Sequence, residues 1–260
     1  MRILCLAPPD DPETPELATA LLQEGHPVLT LAPPTGTWNL LALRALRNAC
    51  TEFNPDLIFE RHIPGNHAGA WLARRTARPR FLATETQPED PASLLLVPTD
   101  QLRQTLTAPR IETLRGATAP DRFLPAPFRP NPTNPSTVFV FGDTRQDPAR
   151  LPDLLAGAAI AVFPRIPQAA SPPALFACMA AGTAIVAHDQ PNIREILAHE
   201  QTALLFESTP DQAVTRLLAN ADLVTRLGTA ARAELDRQDH SWRANARRIV
   251  AWASPPLHGD

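Results

Sequence analysis

The chain has 260 residues, with 24 basic and 27 acidic side chains and a formal net charge of −3. Every basic residue is an arginine, lysine and tyrosine are absent, and there are 30 prolines against 10 glycines. The slightly acidic balance excludes a general nucleic-acid binder. A content of 44% hydrophobic and 20% charged residues excludes a wholly disordered chain, and the lack of an apolar run of about 18 residues excludes a membrane-spanning helix.

Strand and helix signals alternate along the first half. Residues 3–6 are a short apolar run of the kind buried in a parallel sheet. Residues 15–24 follow as a helix with Leu17, Leu21 and Leu22 on one face, and Gly25 suits its end. A second strand is expected at 28–31. Residues 39–53 have the clearest helical spacing, through Leu40, Leu43, Leu46 and Arg47. A strand at 56–59, a helix at 66–77, strands at 80–83 and 94–97 and a short helix near 100–106 complete this half. Such an order predicts a parallel sheet with helices on both faces.

The rhythm stops where Pro120, Pro125, Pro127, Pro130, Pro132 and Pro135 crowd together. Proline removes backbone donors and fixes φ, so neither helix nor sheet runs through this stretch, which reads as a linker. Strands are then expected at 137–141, 159–163, 183–187 and 203–206. Helices are expected at 149–156, 172–181, 192–199, 210–220, 221–239 and 242–253, the last amphipathic with Ile249, Val250 and Trp252. The expected layout is an N-terminal Rossmann-like domain at 1–119 and a linker at 120–136. A reduced C-terminal Rossmann-like domain follows at 137–240, and then a terminal helical segment at 241–260 that packs back on the first domain.

Cys5 and Cys178 lie in apolar stretches and read as core filler, and the three cysteines have no metal or redox spacing. The opening segment meets Pro8 and Pro9 too soon for a signal peptide, so a cytoplasmic location is the default expectation. No Ser-His-Asp set, zinc set, P-loop or Gly-x-Gly-x-x-Gly is present. The last absence argues against a nicotinamide dehydrogenase.

One stretch is more specific. Ser171-Pro172-Pro173-Ala174-Leu175-Phe176-Ala177-Cys178-Met179-Ala180-Ala181-Gly182 leads into Thr183-Ala184-Ile185-Val186-Ala187, then Pro191-Asn192-Ile193-Arg194-Glu195-Ile196, then Thr202-Ala203-Leu204-Leu205-Phe206. In this order it resembles the signature of GT-B glycosyltransferases of the family-4 (glycosyl transferases group 1) type. Leu227-Gly228, Ala230-Ala231-Arg232 and Ser241-Trp242 look like that family's C-terminal segment. Glu24-Gly25-His26-Pro27-Val28, Asn54-Pro55-Asp56-Leu57-Ile58 with Glu60-Arg61-His62, and Arg115-Gly116-Ala117 with Pro120-Asp121-Arg122-Phe123 resemble earlier parts of the pattern.

The resemblance implies two Rossmann-like domains facing across a cleft. It implies a nucleotide-diphosphate sugar held mainly by the C-terminal domain, an acceptor held mainly by the N-terminal one, and no required metal or other cofactor. Glu60 and His62, just after a strand's carboxyl end, are the expected acid/base residues, with Arg61 beside them. Without lysine, a diphosphate clamp falls to arginines such as Arg145 and Arg165, with Ser171, Arg194 and Glu195 on the donor side. Glu195 would cap or orient a helix there. Arg61, Arg74, Arg75, Arg78 and Arg80, interleaved with Trp71, suit contact with an anionic membrane surface.

The sequence also departs from the pattern. The family's two glutamates, eight apart, fall at Ala169 and Ala177, where a methyl cannot accept hydrogen bonds from a donor ribose. The loop after the first strand, Pro8-Pro9-Asp10-Asp11-Pro12-Glu13, has no glycine and carries three acidic side chains that would repel a diphosphate. Two readings follow: a transferase moving a sugar from a nucleotide donor to an acceptor, or an inactive GT-B binding or scaffold subunit beside a partner glycosyltransferase.

Overall fold

The computed structural model describes residues 1–34, 40–123, 137–141, 151–166 and 173–254, with the backbone alone at Arg122 and Thr137. The described residues fall into two compact units. The first comprises Met1–Pro98, Leu102–Leu114 and Trp242–Asp260, and the second Thr99–Gln101 and Arg115–Ser241. The change of unit at Leu114 thus precedes the proline-rich stretch, most of which lies outside the described residues, and the C-terminal helix belongs to the first unit.

The first unit is built on six parallel strands: β1 (Ile3–Leu6), β2 (Val28–Leu31), β3 (Leu57–Arg61), β4 (Arg80–Ala83), β5 (Leu94–Val97) and β6 (Ile111–Thr113). They lie in the order β2-β1-β3-β4-β5-β6. The chain winds outward from β1 to β2, then crosses to β3 on the other side. A topological switch point therefore lies between the carboxyl ends of β1 and β3, the edge at which open α/β sheets take ligands. Every residue of β1, β4 and β5 is buried, as the continuous apolar runs require of strands covered on both faces.

Helices α1 (Thr14–Gln23), α2 (Leu40–Phe53), α3 (Ala68–Thr76) and α10 (Trp242–Ala253) accompany this sheet, and α4 (Asp100–Thr105) spans the change of unit, its Asp100 and Gln101 belonging to the second. The buried stripe of α2 is Leu43, Leu46 and Cys50, the i, i+3, i+7 spacing of an amphipathic helix. At the end of α1, Glu24 accepts from Arg243 and Arg247 on α10. Burial of Ala246 and Ile249 completes the seating of α10 in this unit.

The second unit has strands β7 (Thr137–Val140), β8 (Ala158–Phe163), β9 (Ala184–His188) and β10 (Leu204–Phe206), in the parallel order β10-β9-β8-β7. Its helices are α5 (Leu151–Ala156), α6 (Pro173–Ala181), α7 (Pro191–Arg194), α8 (Asp211–Leu218) and α9 (Ala221–Gln238). Helix α6 is apolar all round, and Leu175 to Ala180 are all buried in one core with α5, α9 and the sheet. Gly182 ends α6 at φ +69°, and Gly228 of α9 packs directly on its carbonyl.

Two elements differ from expectation. The helix expected at 192–199 is only the four residues of α7. The chain beyond folds into a turn in which the Thr202 hydroxyl takes the Ala198 N–H and the His199 ring takes that of Leu205. Strand β6 has no apolar run to announce it. Its Ile111-Glu112-Thr113 are half-buried and pair with Leu95, Leu96 and Val97. All three cysteines are free and buried, including Cys50.

Candidate functional site

In the first unit, the carboxyl ends of β1, β3 and β4 gather the polar side chains. Glu60, Arg61 and His62 are consecutive, but side chains alternate along a strand, so they do not act together. Glu60 turns inward, and its carboxylate meets the Nε of Arg80 at 2.5 Å, with the two side chains 3% and 4% exposed. The Gly69 N–H also donates to it, and burial raises its pKa against the pull of Arg80. Glu60, expected as an acid/base residue, is therefore enclosed as the anchor of Arg80. Arg80 in turn donates to the Pro91 carbonyl at 3.1 Å.

Arg61 points the other way, to Asp11 and Glu13 in the loop after β1. Burial pulls its pKa down, but Glu13 and Asp11 outweigh this and keep the guanidinium charged. The acidic loop is thus balanced by Arg61, and Asp11 also accepts from the Thr14 N–H at 2.9 Å as α1 begins. The expected basic face is interrupted: Arg61 and Arg80 are ion-paired, Arg74 faces Asp90 at 3.5 Å, and Arg78 donates to Asn54.

His62 remains at the edge of β3, with Nδ1 donating to the Thr84 hydroxyl oxygen at 3.0 Å, since the Thr84 proton goes to the Thr86 carbonyl at 2.6 Å. Burial, followed by the charge of Arg80, lowers its pKa and favours the neutral ring. A pocket beside it is lined by His62, Asn66, His67, Arg80, Glu89 and Asp90. Here the structure supplies a relation that sequence spacing could not. His67, at the start of α3, holds Asp90 through Nδ1 at 2.5 Å. Asp90 sits on the loop between β4 and β5, and no periodicity links it to His67.

In the second unit, Arg165 lies exposed just past β8, at the strand's carboxyl edge. Arg194 is 67% exposed and grips Asp189 through two bonds of 2.5 and 2.6 Å. Glu195 accepts from the backbone N–H groups of Asp100 and Gln101 at 2.9 and 3.0 Å, and from Arg115 at 3.2 Å. It caps the beginning of α4, as a carboxylate at a helix N-terminus does. Ala177 is 1% exposed inside the apolar core of α6. Arg145, Ser171 and Ala169 lie outside the described residues. Among the described residues no group of three or more His, Cys, Asp or Glu could hold a metal ion, and no helix is long and apolar enough to cross a membrane.

Residues 125–221 match the family model of glycosyl transferases group 1. These residues hold β7, α5, β8, α6, β9, α7, β10 and α8. Over 75 residues the chain is 37% identical to the O-antigen biosynthesis protein RfbC of Myxococcus xanthus, a stretch covering 28% of this chain and 6% of that protein. Among solved structures, a glycosyltransferase from Rickettsia africae aligns with 100% of this chain and 99% of its own, with a TM-score of 0.75 and 11% identity. The Anabaena protein Alr3699/HepE in complex with UDP-glucose aligns over 97% of this chain and 99% of its own, with a TM-score of 0.68 and 14% identity. The fold is GT-B, with two Rossmann-like units.

Proposed function

We propose that this glycosyltransferase-like chain binds a nucleoside-diphosphate sugar through its second unit and transfers the sugar to a hydroxyl acceptor held by the first. The observation behind the reading is the matched segment at 125–221, whose helix, strand and Pro-Asn-Ile-Arg-Glu turn keep the order of the group 1 pattern. The UDP and UDP-glucose bound to Anabaena Alr3699/HepE make a uridine donor the first to try. Arg165 and Arg194 at the carboxyl edge of the second sheet are the described cations for a diphosphate, with Arg145 and Ser171 as further candidates. Arginine suits that role through its planar fork of donors.

A second reading rests on Ala177. A methyl group at a position closed in apolar core gives a donor ribose no acceptor, which favours a binding or scaffold subunit partnered by an active glycosyltransferase. Nucleotide release decides between the two. The full chain is incubated with UDP-glucose or GDP-mannose and a panel of methyl hexosides. Nucleotide released in proportion to acceptor supports the transferase. Donor binding without release, together with a stable complex with a full-length transferase, supports the scaffold.

A further inference from the structure

We propose that the outer face of α2 docks this protein on an anionic lipid surface, with Leu40 and Leu41 entering the headgroup layer and Arg44 and Arg47 meeting the lipid phosphates. The proposal stands apart from the sugar chemistry and starts from exposure. Leu40 and Leu41 are 79% and 78% exposed, more than any other large hydrophobic side chain described. They open α2, whose stripe of Leu43, Leu46 and Cys50 is buried in one core with Leu4, Leu6 and Leu72. That stripe fixes the helix to its sheet, so only the opposite face is presented to solvent.

Charge selects the partner. At about 3.6 residues per turn, Arg44 stands one turn beyond Leu40 on the same face, and Arg47 follows along its border. Both arginines are exposed, and among the described residues no acceptor engages either guanidinium. Residues 40–51 include no acidic side chain, and Glu52 stands in the last turn. By contrast Arg61, Arg74 and Arg80, in the stretch that the sequence marks as basic, face carboxylates. Uncompensated cations and exposed leucines therefore coincide on α2. The chain as a whole carries a formal charge of −3, which opposes a negative membrane, so attachment has to come from a local patch.

Size separates a lipid surface from a protein partner. Two leucines and two arginines on the first turns of one helix cover much less than the roughly 800 Å² that a stable protein partner buries on each side. A bilayer sets no such requirement, because two apolar side chains with a local positive field give reversible attachment. A second copy of the chain fits poorly as well. An isologous contact over this face would gather the arginines of both copies, with no acidic residue among 40–51 to offset them.

The test sediments the full chain with vesicles of phosphatidylcholine alone and of phosphatidylcholine with phosphatidylglycerol. The expected result is binding to the phosphatidylglycerol vesicles that is half complete at roughly millimolar lipid, and at least about tenfold weaker on neutral vesicles or at high salt. Arg44→Gln/Arg47→Gln should weaken it about 25-fold, and Leu40→Ser/Leu41→Ser at least about tenfold. Arg216→Gln/Arg237→Gln removes the same charge from exposed ion pairs of the second unit and should leave binding unchanged. Thermal melts matching the parent establish that the variants fold. A second readout needs no loss of function: Leu41→Cys, labelled with a polarity-sensitive dye while the buried native cysteines stay unreacted, should shift to the blue on phosphatidylglycerol vesicles. The proposal is overturned if the parent does not bind these vesicles or binds neutral ones as well. Unchanged binding in either α2 variant, an equal loss in the second-unit control, or no shift at the labelled position overturns it too. A parent that ignores vesicles but self-associates until Leu40 and Leu41 are replaced would assign the face to a second copy instead.

Discussion

The Arg80 guanidinium and the Glu60 carboxylate meet at 2.5 Å with almost no exposure to water, and Arg80 extends from that contact to the Pro91 carbonyl. This pair couples the inner face of β3 to the loop that carries Asp90. Removing one member leaves a buried charge without a partner, so Glu60→Leu should cost about 3–5 kcal/mol. The double variant Glu60→Leu/Arg80→Met should recover most of that loss, because no charge then remains buried. Denaturant unfolding, read together with hydrogen exchange in β3 and β4, checks both.

The same carboxylate leaves no room at Gly69. A Cβ there would run into the Glu60 side chain. Gly69→Ala should therefore destabilise the first unit by about 1–3 kcal/mol, although alanine is the better helix former. Gly228→Ala should do the same in the second unit, where a Cβ meets the Gly182 carbonyl between α6 and α9. Paired thermal melts of the two variants and the parent measure the effect, and a rise in Tm would contradict the close packing.

The attachment of α10 should depend on acid. Hydrogen bonds from Arg247 and Arg243, against a smaller effect of burial, lower the pKa of Glu24 from 4.5 to about 2. A lowered carboxylate pKa contributes stability above the unfolded value, and that stability fades as pH falls through the folded value. Protection of α10 against hydrogen exchange should thus hold at pH 5 and decline toward pH 2. Glu24→Gln should remove this dependence.

Ala177 separates resemblance from chemistry. Ala177→Glu restores the carboxylate of the group 1 pattern but places it in apolar core. Burying a charge without a partner is costly, so the variant should lose roughly 2–5 kcal/mol of stability when no ligand is bound. A Tm unchanged from the parent would show that the side chain reaches solvent.

Much of this architecture can be read from residue patterns. The apolar runs of β1, β2, β4 and β5 and the periodicity of α2, α9 and α10 mark these elements closely. Strand β6 escapes because Ile111-Glu112-Thr113 is short, half-buried and held by pairing with β5 rather than by its own hydrophobicity. The site is less legible. Adjacency in sequence suggested that Glu60, Arg61 and His62 act as one group, whereas strand alternation sends Glu60 inward and Arg61 toward Asp11 and Glu13. Glu195 caps the start of α4 rather than a helix of the motif itself, and its partners at Asp100 and Gln101 lie far away in the chain. His67 and Asp90 meet only because the loop after β4 folds back over the start of α3, a contact that no local spacing encodes.

Calorimetric titration of UDP-glucose into the full chain tests the central claim most directly. Saturable heat with one site per chain, weakened in Arg165→Ala and Arg194→Ala, is the predicted result. No heat at millimolar UDP-glucose, with none from GDP-mannose either, would contradict the assignment of a nucleotide-sugar site to this protein.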